Sequence, residues 1–444
     1  MFPMVTLKIG DRYLFSCLMP QSDSERPHKR AKLDQKNPIE NDGENDNDIG
    51  KHANDGETNR LSQVRNLYFN TINRHKLDFD FEKKCQVTLS KSNVYCCLVC
   101  GKYLQGRSPT SQAYLHSLDV NHHLFISFST LKTFALPEGF EVKDHDGSLD
   151  DIKELISPAY TKDQVASLDK QTTTARDIDG NPYRPGFIGL NNVKGFNDYS
   201  NTVLLALGHI KAVRNYYLLN SFKDSFNQEL GLFIRRMWSS KQFRPHISPA
   251  EIMRVVTEES KNRFNLTQQK TPRDFFLFLL HLMPHRVRKS FRGAAGGSSF
   301  LMIPLKLPRT TVFNDETPQI NLQTLINQFE KDKPVKEAPR VLLLHFDRNQ
   351  QDIQLDSVSG SAINNTIINF PQDLQFNQTY KLVANIVQDV VPGSSGEDTI
   401  AYKIQLYDKG RDQWLQIHDL KVQEIERELL FLHQSVLQVW ERKI

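Results

Sequence analysis

Apolar and polar positions divide the chain into stretches of different character. Between Asp34 and Asn59 the only apolar residues, prolines aside, are Ile39, Ile49 and Ala53, while Glu40, Asp42, Glu44, Asp46 and Asp48 alternate with neutral residues. Such a segment cannot bury enough surface to offset its ordering entropy, so residues 1–60 are predicted to be largely disordered. Ordered sequence resumes near Leu61. Leu124 to Ser129 reads as a strand with Leu124, Ile126 and Phe128 on one face. A helical connector is predicted over Ser148 to Thr174, and Gly180, Pro182, Pro185 and Gly186 mark a boundary. Beyond it, Tyr199 to Val213 and Asp274 to Met283 read as buried helices. Strands follow at Arg340 to Phe346, Tyr380 to Gln388, Thr399 to Tyr407 and Gln413 to His418, and Val422 to Val439 has helical periodicity. Helices first and strands later predict an α+β domain.

Length and composition narrow this picture. At 444 residues, with 39% hydrophobic and 10% aromatic content, the chain is large enough for two or three domains with real cores. A net charge of +4 gives no case for a broad nucleic-acid surface, so any RNA contact must come from a local patch or through a partner. No run is long enough to span a membrane. The apolar stretch Tyr13 to Met19 follows Lys8, Asp11 and Arg12 and has no cleavage site after it, so neither a membrane partner nor a signal peptide is expected. The cluster Arg26 to Lys32 reads either as a nuclear-import signal or as a solvated charge run.

All five cysteines, Cys17, Cys85, Cys96, Cys97 and Cys100, lie within the first hundred residues. An odd, clustered set argues against a secreted disulfide framework and for the cytosol or nucleus. Cys97 and Cys100 form a Cys-x-x-Cys knuckle, followed by His116 and His122. Two thiolates and two imidazoles make a closed tetrahedral set for one structural Zn2+. His123 could replace His122, and Cys85 or Cys96 is a core thiol or an alternative ligand. Cys17 is read as a lone thiol. A redox role lacks the βαβ context it needs.

The run Cys97 to Arg107, with Ala113 to His116 and His122 to Leu124, is similar to the ubiquitin-specific-protease-type zinc finger over about residues 61–160. Some of these fingers bind the C-terminal glycines of ubiquitin through an arginine, an aromatic and a late tyrosine. Arg107 and Tyr95 stand near the first two positions, but Ala135-Leu136 near the third offers no hydroxyl. The further cysteines of multi-zinc members are absent, so the resemblance implies one zinc and counts against ubiquitin-tail binding.

After a connector at 161–185, residues 186–444 resemble ubiquitin-specific proteases, which have a papain-like cysteine peptidase fold. Gly189 to Leu207 looks like their cysteine box, with Asp198 at the nucleophile's place after one extra residue. Pro339 to Arg348 and Tyr380 to Val387 are similar to later strands of these enzymes. Gly396 to Tyr402 matches the box of the general base, with Asp398 in the histidine's place. The orienting position falls at His418 or Asp419. Thiolate acyl transfer needs a nucleophile, an imidazole base and an orienter, and two carboxylates do not supply them. A helix N-cap is the structural role that suits Asp198.

A single finger followed by such a domain, with aspartate in the cysteine box, resembles the tri-snRNP-associated splicing factors over about residues 61–444. Leu77 to Lys83, Ser148 to Ile152 and Leu168 to Gln171 add to that resemblance. It implies a catalytically inactive nuclear protein that supports assembly of the spliceosomal tri-snRNP through protein partners, with small nuclear RNA met indirectly. The alternatives are a ubiquitin-binding module without hydrolysis and an active deubiquitinase.

Overall fold

Strict alternation of side chains builds the first core. The computed structural model describes residues 68–144, 146–192, 194–308, 318–348, 364–391 and 399–443. The 1–60 segment, its basic cluster and Cys17 lie outside the described residues, as does Asp398. Five short antiparallel strands, β1 (Val94–Cys97), β2 (Tyr103–Gln105), β3 (Leu124–Ser127), β4 (Thr133–Ala135) and β5 (Glu141–Val142), pair in the order β2-β1-β3-β4-β5. Leu124, Ile126 and Phe128 pack with Val94, Cys96 and Leu98 on one face, while Phe125 packs with Tyr95 and Cys97 on the other. Helix α1 (Gln112–Val120) lies between β2 and β3. Helix α2 (Asp150–Ile156) closes the first face with Ile152, Leu155 and Ile156, and Asp151 in its first turn meets Arg74 at 2.6 Å.

The stretch 161–185, expected as a connector, is built into the second core. Helix α3 (Lys162–Ser167) starts with a reciprocal capping box between Thr161 and Gln164. Val165, Leu168, Ala175 and Tyr183 then pack with α4 (Asp198–His209), α5 (Lys211–Leu219), α6 (Ser225–Met237), α7 (Ala250–Glu259) and α8 (Pro272–Leu282). Asp169 is bound to Arg214 at 2.8 Å and Lys211 at 3.1 Å. Burial pushes its carboxyl up, but Arg214, Lys409 and Lys211 outweigh that and hold it at about 2. A depressed carboxylate stabilises the fold above its ordinary value near 3.8, and that stabilisation is lost as pH falls through about 2. Asp169→Asn is therefore expected to lower stability at neutral pH and to converge on the parent protein in strong acid. Urea titrations across pH check this.

One large sheet separates the helical core from a third core. Its strands are β6 (Ile303–Lys306), β7 (Val341–Asp347), β8 (Asp373–Phe376), β9 (Gln378–Val391), β10 (Thr399–Asp408), β11 (Gln413–His418), β12 (Lys421–Ile425) and β13 (Gln434–Arg442). Their order is β6-β7-β13-β9-β10-β11-β12, with β8 paired to β9. Val341 and Leu343 face the helices, whereas Leu342, Leu344 and Phe346 face α10 (Leu322–Asp332) and Trp440. The stretch Val422 to Val439 is not a helix. It comprises β12, a 3-10 segment at Arg427–Leu432 and the start of β13. Strand β13 lies between β7 and β9 and is buried on both faces, so its apolar run lacks the period-two signature.

The described residues of 58–444 form one compact unit, and charged pairs and one aromatic join its first two cores. In Leu77 to Asp80 the apolar residues face the finger core, while Asp78 binds Arg244 at 2.6 Å and Asp80 binds Arg236 at 3.2 Å. Asp80 also accepts the Ser248 amide at 2.7 Å. Phe243, from the loop after α6, is inserted into the finger core. Phe243→Ala is expected to cost about 3 kcal/mol through lost burial and an unfilled cavity. Denaturant unfolding followed by near-ultraviolet circular dichroism reads that cost.

Candidate metal centre and the cleft at Asp198

Cys97, Cys100, His116 and His122 converge, with their donor atoms all within 4.8 Å of one another. Cys97 ends β1, and the knuckle turns back through bonds from Gly101 N to Cys97 O and from Cys97 N to Lys102 O, both 2.9 Å. Gly101 has φ +77°, and a Cβ there would lie 2.1 Å from the Lys76 carbonyl oxygen, so the turn requires glycine. His116 projects from α1, and left-handed Asn121 (φ 56°) ends that helix and turns the chain to His122.

The geometry fits zinc. Metal–ligand bonds of about 2.3 Å to sulfur and about 2.0–2.1 Å to nitrogen at the tetrahedral angle set ligand–ligand separations of about 3.3–3.8 Å. Cys97 Sγ lies 3.6 Å from His122 Nδ1, Cys100 Sγ 3.4 Å from His116 Nε2, and the two ring nitrogens are 3.2 Å apart. His123 is engaged elsewhere, with Nδ1 2.8 Å from the Leu136 carbonyl and Nε2 2.9 Å from Asn121 Oδ1. The Cys96 side chain packs in the core on the opposite face of β1, and Cys85 accepts the Thr88 amide at 3.4 Å.

In the helical core Asp198 is the first residue of α4, and Asn197 holds the cap position. Asn197 turns its side chain to Asn191 O and Asn201 Oδ1, both at 3.1 Å, so neither residue caps the helix as expected for Asp198. The Asp198 carboxylate is 4% exposed and faces donors on both oxygens. Oδ1 accepts from Tyr199 N at 2.7 Å and Gln269 Nε2 at 2.8 Å. Oδ2 accepts from Gln269 Nε2 at 2.9 Å and Tyr402 N at 2.8 Å. Gln269 also donates to the Ile400 carbonyl at 2.8 Å. One amide group thus ties the start of α4 to strand β10. Burial pushes the Asp198 carboxyl up, against the opposing pull of these donors.

His418 ends β11 and Asp419 follows it, with His418 Nε2 3.8 Å from Asp419 Oδ2. Asp419 accepts from Asn192 Nδ2 at 3.3 Å, and Asn192 Oδ1 in turn accepts the Asn197 amide at 3.2 Å. Asp419 is therefore linked to the turn preceding Asp198, while His418 is half-buried beside it. Gln269 and Asn192 carry the wiring that sequence reasoning missed. Asn192 stood in the recognised box, but nothing marked Gln269, which is 71 residues from Asp198.

Residues 83–147 match the family described as the Zn-finger in ubiquitin-hydrolases and other proteins, and residues 188–440 match the ubiquitin carboxyl-terminal hydrolase family. The probable mRNA-splicing protein ubp10 of Schizosaccharomyces pombe is 33% identical over 93% of this chain and 95% of its own length. The pre-mRNA-splicing factor SAD1 of Saccharomyces cerevisiae is 31% identical over 85% of this chain and 93% of its own. Human ubiquitin carboxyl-terminal hydrolase 39 is 33% identical over 85% of this chain and 80% of its own. The crystal structure of an essential yeast splicing factor superposes with a TM-score of 0.74 at 33% identity, over 85% of this chain and all of that one. The chain belongs to the ubiquitin carboxyl-terminal hydrolase family and carries that family's zinc finger ahead of its hydrolase-type domain.

Proposed function

We propose that this protein is a non-catalytic pre-mRNA splicing factor of the nucleus, supporting assembly or stability of the spliceosomal tri-snRNP and its entry into the spliceosome. The observation that carries the non-catalytic part is Asp198. A buried carboxylate, saturated by Gln269 and two backbone amides, stands where the cysteine box places a nucleophile. A carboxylate so held neither attacks a peptide carbonyl nor relays a proton. No cysteine follows Cys100. The relatives named as splicing proteins, aligned over most of the chain, supply the process.

In this reading Cys97, Cys100, His116 and His122 hold one zinc, which fixes the turn and α1 against β1 and takes no part in chemistry. The bound metal supplies folding free energy. The chain's own residues present surfaces to spliceosomal proteins. Ubiquitin is not a favoured partner, because the Arg107 guanidinium lies 4.4 Å over the Phe134 ring and Ala135 and Leu136 are fully buried.

The tagged protein is to be purified from nuclear extract at moderate salt and its associated small nuclear RNAs and proteins identified. Enrichment of tri-snRNP components is the expected result. Recovery of ubiquitin conjugates without small nuclear RNA would overturn the reading.

A further inference from the structure

The charge of this chain is uneven. Between Asp274 and Asp315 there is no acidic residue, while Arg286, Arg288, Lys289, Arg292, Lys306 and Arg309 fall within that span. An overall charge of +4 hides this stretch. The fold brings three of these cations, Arg288, Lys289 and Arg292, to one place. Helix α8 ends at Leu282, α9 (His285–Arg288) follows, and a 3-10 turn at Lys289–Phe291 leads to the strand Ser298–Phe300. Together they line an open cleft of about 620 Å³.

Its rim carries Arg273, His281, His285, Arg288, Lys289 and Arg292, and among the described residues no Asp or Glu lines it. Arg273 pairs with Asp274 at 2.9 Å, and Arg288 donates to the His281 carbonyl at 3.2 Å. Lys289 and Arg292, and Arg286 beside them, have no ion-pair partner within 4.0 Å among the described residues. Arg236, Arg244 and Arg254, by contrast, each carry an ion pair. The floor is apolar, formed by Leu277, Leu301 and Met302, and the half-buried Phe300 ring stands in the wall.

We propose that this cleft binds the backbone of single-stranded RNA, with Lys289, Arg292 and Arg288 on phosphates and bases against Phe300 and the apolar floor. Unpaired cations beside an aromatic face match the alternation of phosphate and base along a single strand. An acidic peptide would meet the cations but bring no planar faces to the floor. The choice of RNA over such a peptide rests in part on the splicing reading.

The test uses the purified full-length chain and a fluorescent, unstructured RNA 20-mer of mixed sequence, followed by anisotropy across a salt series. Each phosphate contacted on a single strand adds about 0.7 to the slope of log affinity against log salt. The charge-reversed variant K289E/R292E is expected to bind at least about tenfold more weakly, with a slope shallower by about 1.4. Both residues are exposed, so zinc content and melting temperature should stay at parental values. K102E/K132E, at exposed lysines of the finger, serves as the control and should leave RNA affinity unchanged. Equal RNA binding by parent and K289E/R292E, no binding by either, or tighter binding of a polyglutamate peptide of equal charge would overturn the proposal. Co-purification of tri-snRNP components by the same variant separates this failure from failure of the splicing reading.

Discussion

Cys97→Ser or His116→Ala is expected to release the zinc and unfold the finger. Each removes one of four ligands, and structural zinc binding of this type contributes on the order of 10 kcal/mol or more to folding. The finger has little else to hold its second face, where Tyr95, Leu104, Ala113, Phe125 and Phe134 pack around Cys97 in a small cluster. Damage is expected to pass into the helical core, because Phe243, Arg236 and Arg244 all end on finger residues. Zinc released on denaturation, measured colorimetrically, should fall from one equivalent to near zero, with a lowered unfolding midpoint. Zinc loss with an unchanged unfolding curve would remove the metal from its structural role.

Asp198→Ala carries the second large effect. It strips acceptors from the Gln269 amide and the Tyr402 N–H in a buried site, with an expected cost of about 2–4 kcal/mol. Asp198→Asn should lose nearly as much, since donors face both carboxylate oxygens and an amide NH2 would oppose one of them whichever way it flips. Asp198→Cys should not restore hydrolysis, because position 398 is aspartate and Gln269 still reaches across the cleft. Chemical denaturation reads the first two variants. A fluorogenic ubiquitin C-terminal substrate reads the third, and turnover above background would return the chain to the enzymes.

The sequence was informative where residue chemistry is selective. Two thiols and two imidazoles at knuckle spacing have few other uses, and the structure brings all four together. Leu124, Ile126 and Phe128 alternate because β3 offers one face to each of two clusters. Strand β11 spans the residues expected, because Leu415 and Ile417 face the helical core while Trp414 turns to the third core. The C-terminal stretch misled because Val436, Leu437, Val439 and Trp440 are buried irrespective of face. Burial on both sides erases a period of two, and the 3-10 turn before it supplies helical spacing. Leu77 to Lys83 was recognisable as a motif, but its purpose was not, since Arg236 and Arg244 lie more than 150 residues away. Gln269 left no trace because its role exists only through tertiary contact.

The insertion of Phe243 also bears on how the chain is made. Roughly ninety residues separate Ile156, the end of the finger's covering helix, from Phe243. At about 5–20 residues per second, synthesis of that interval takes roughly four to seventeen seconds. Throughout it the nascent finger has all four zinc ligands but lacks the ring that fills its wall. The order of synthesis leaves time for metal capture before the core is complete, and in a cell short of zinc the incomplete finger would have neither metal nor ring to hold it on the ribosome.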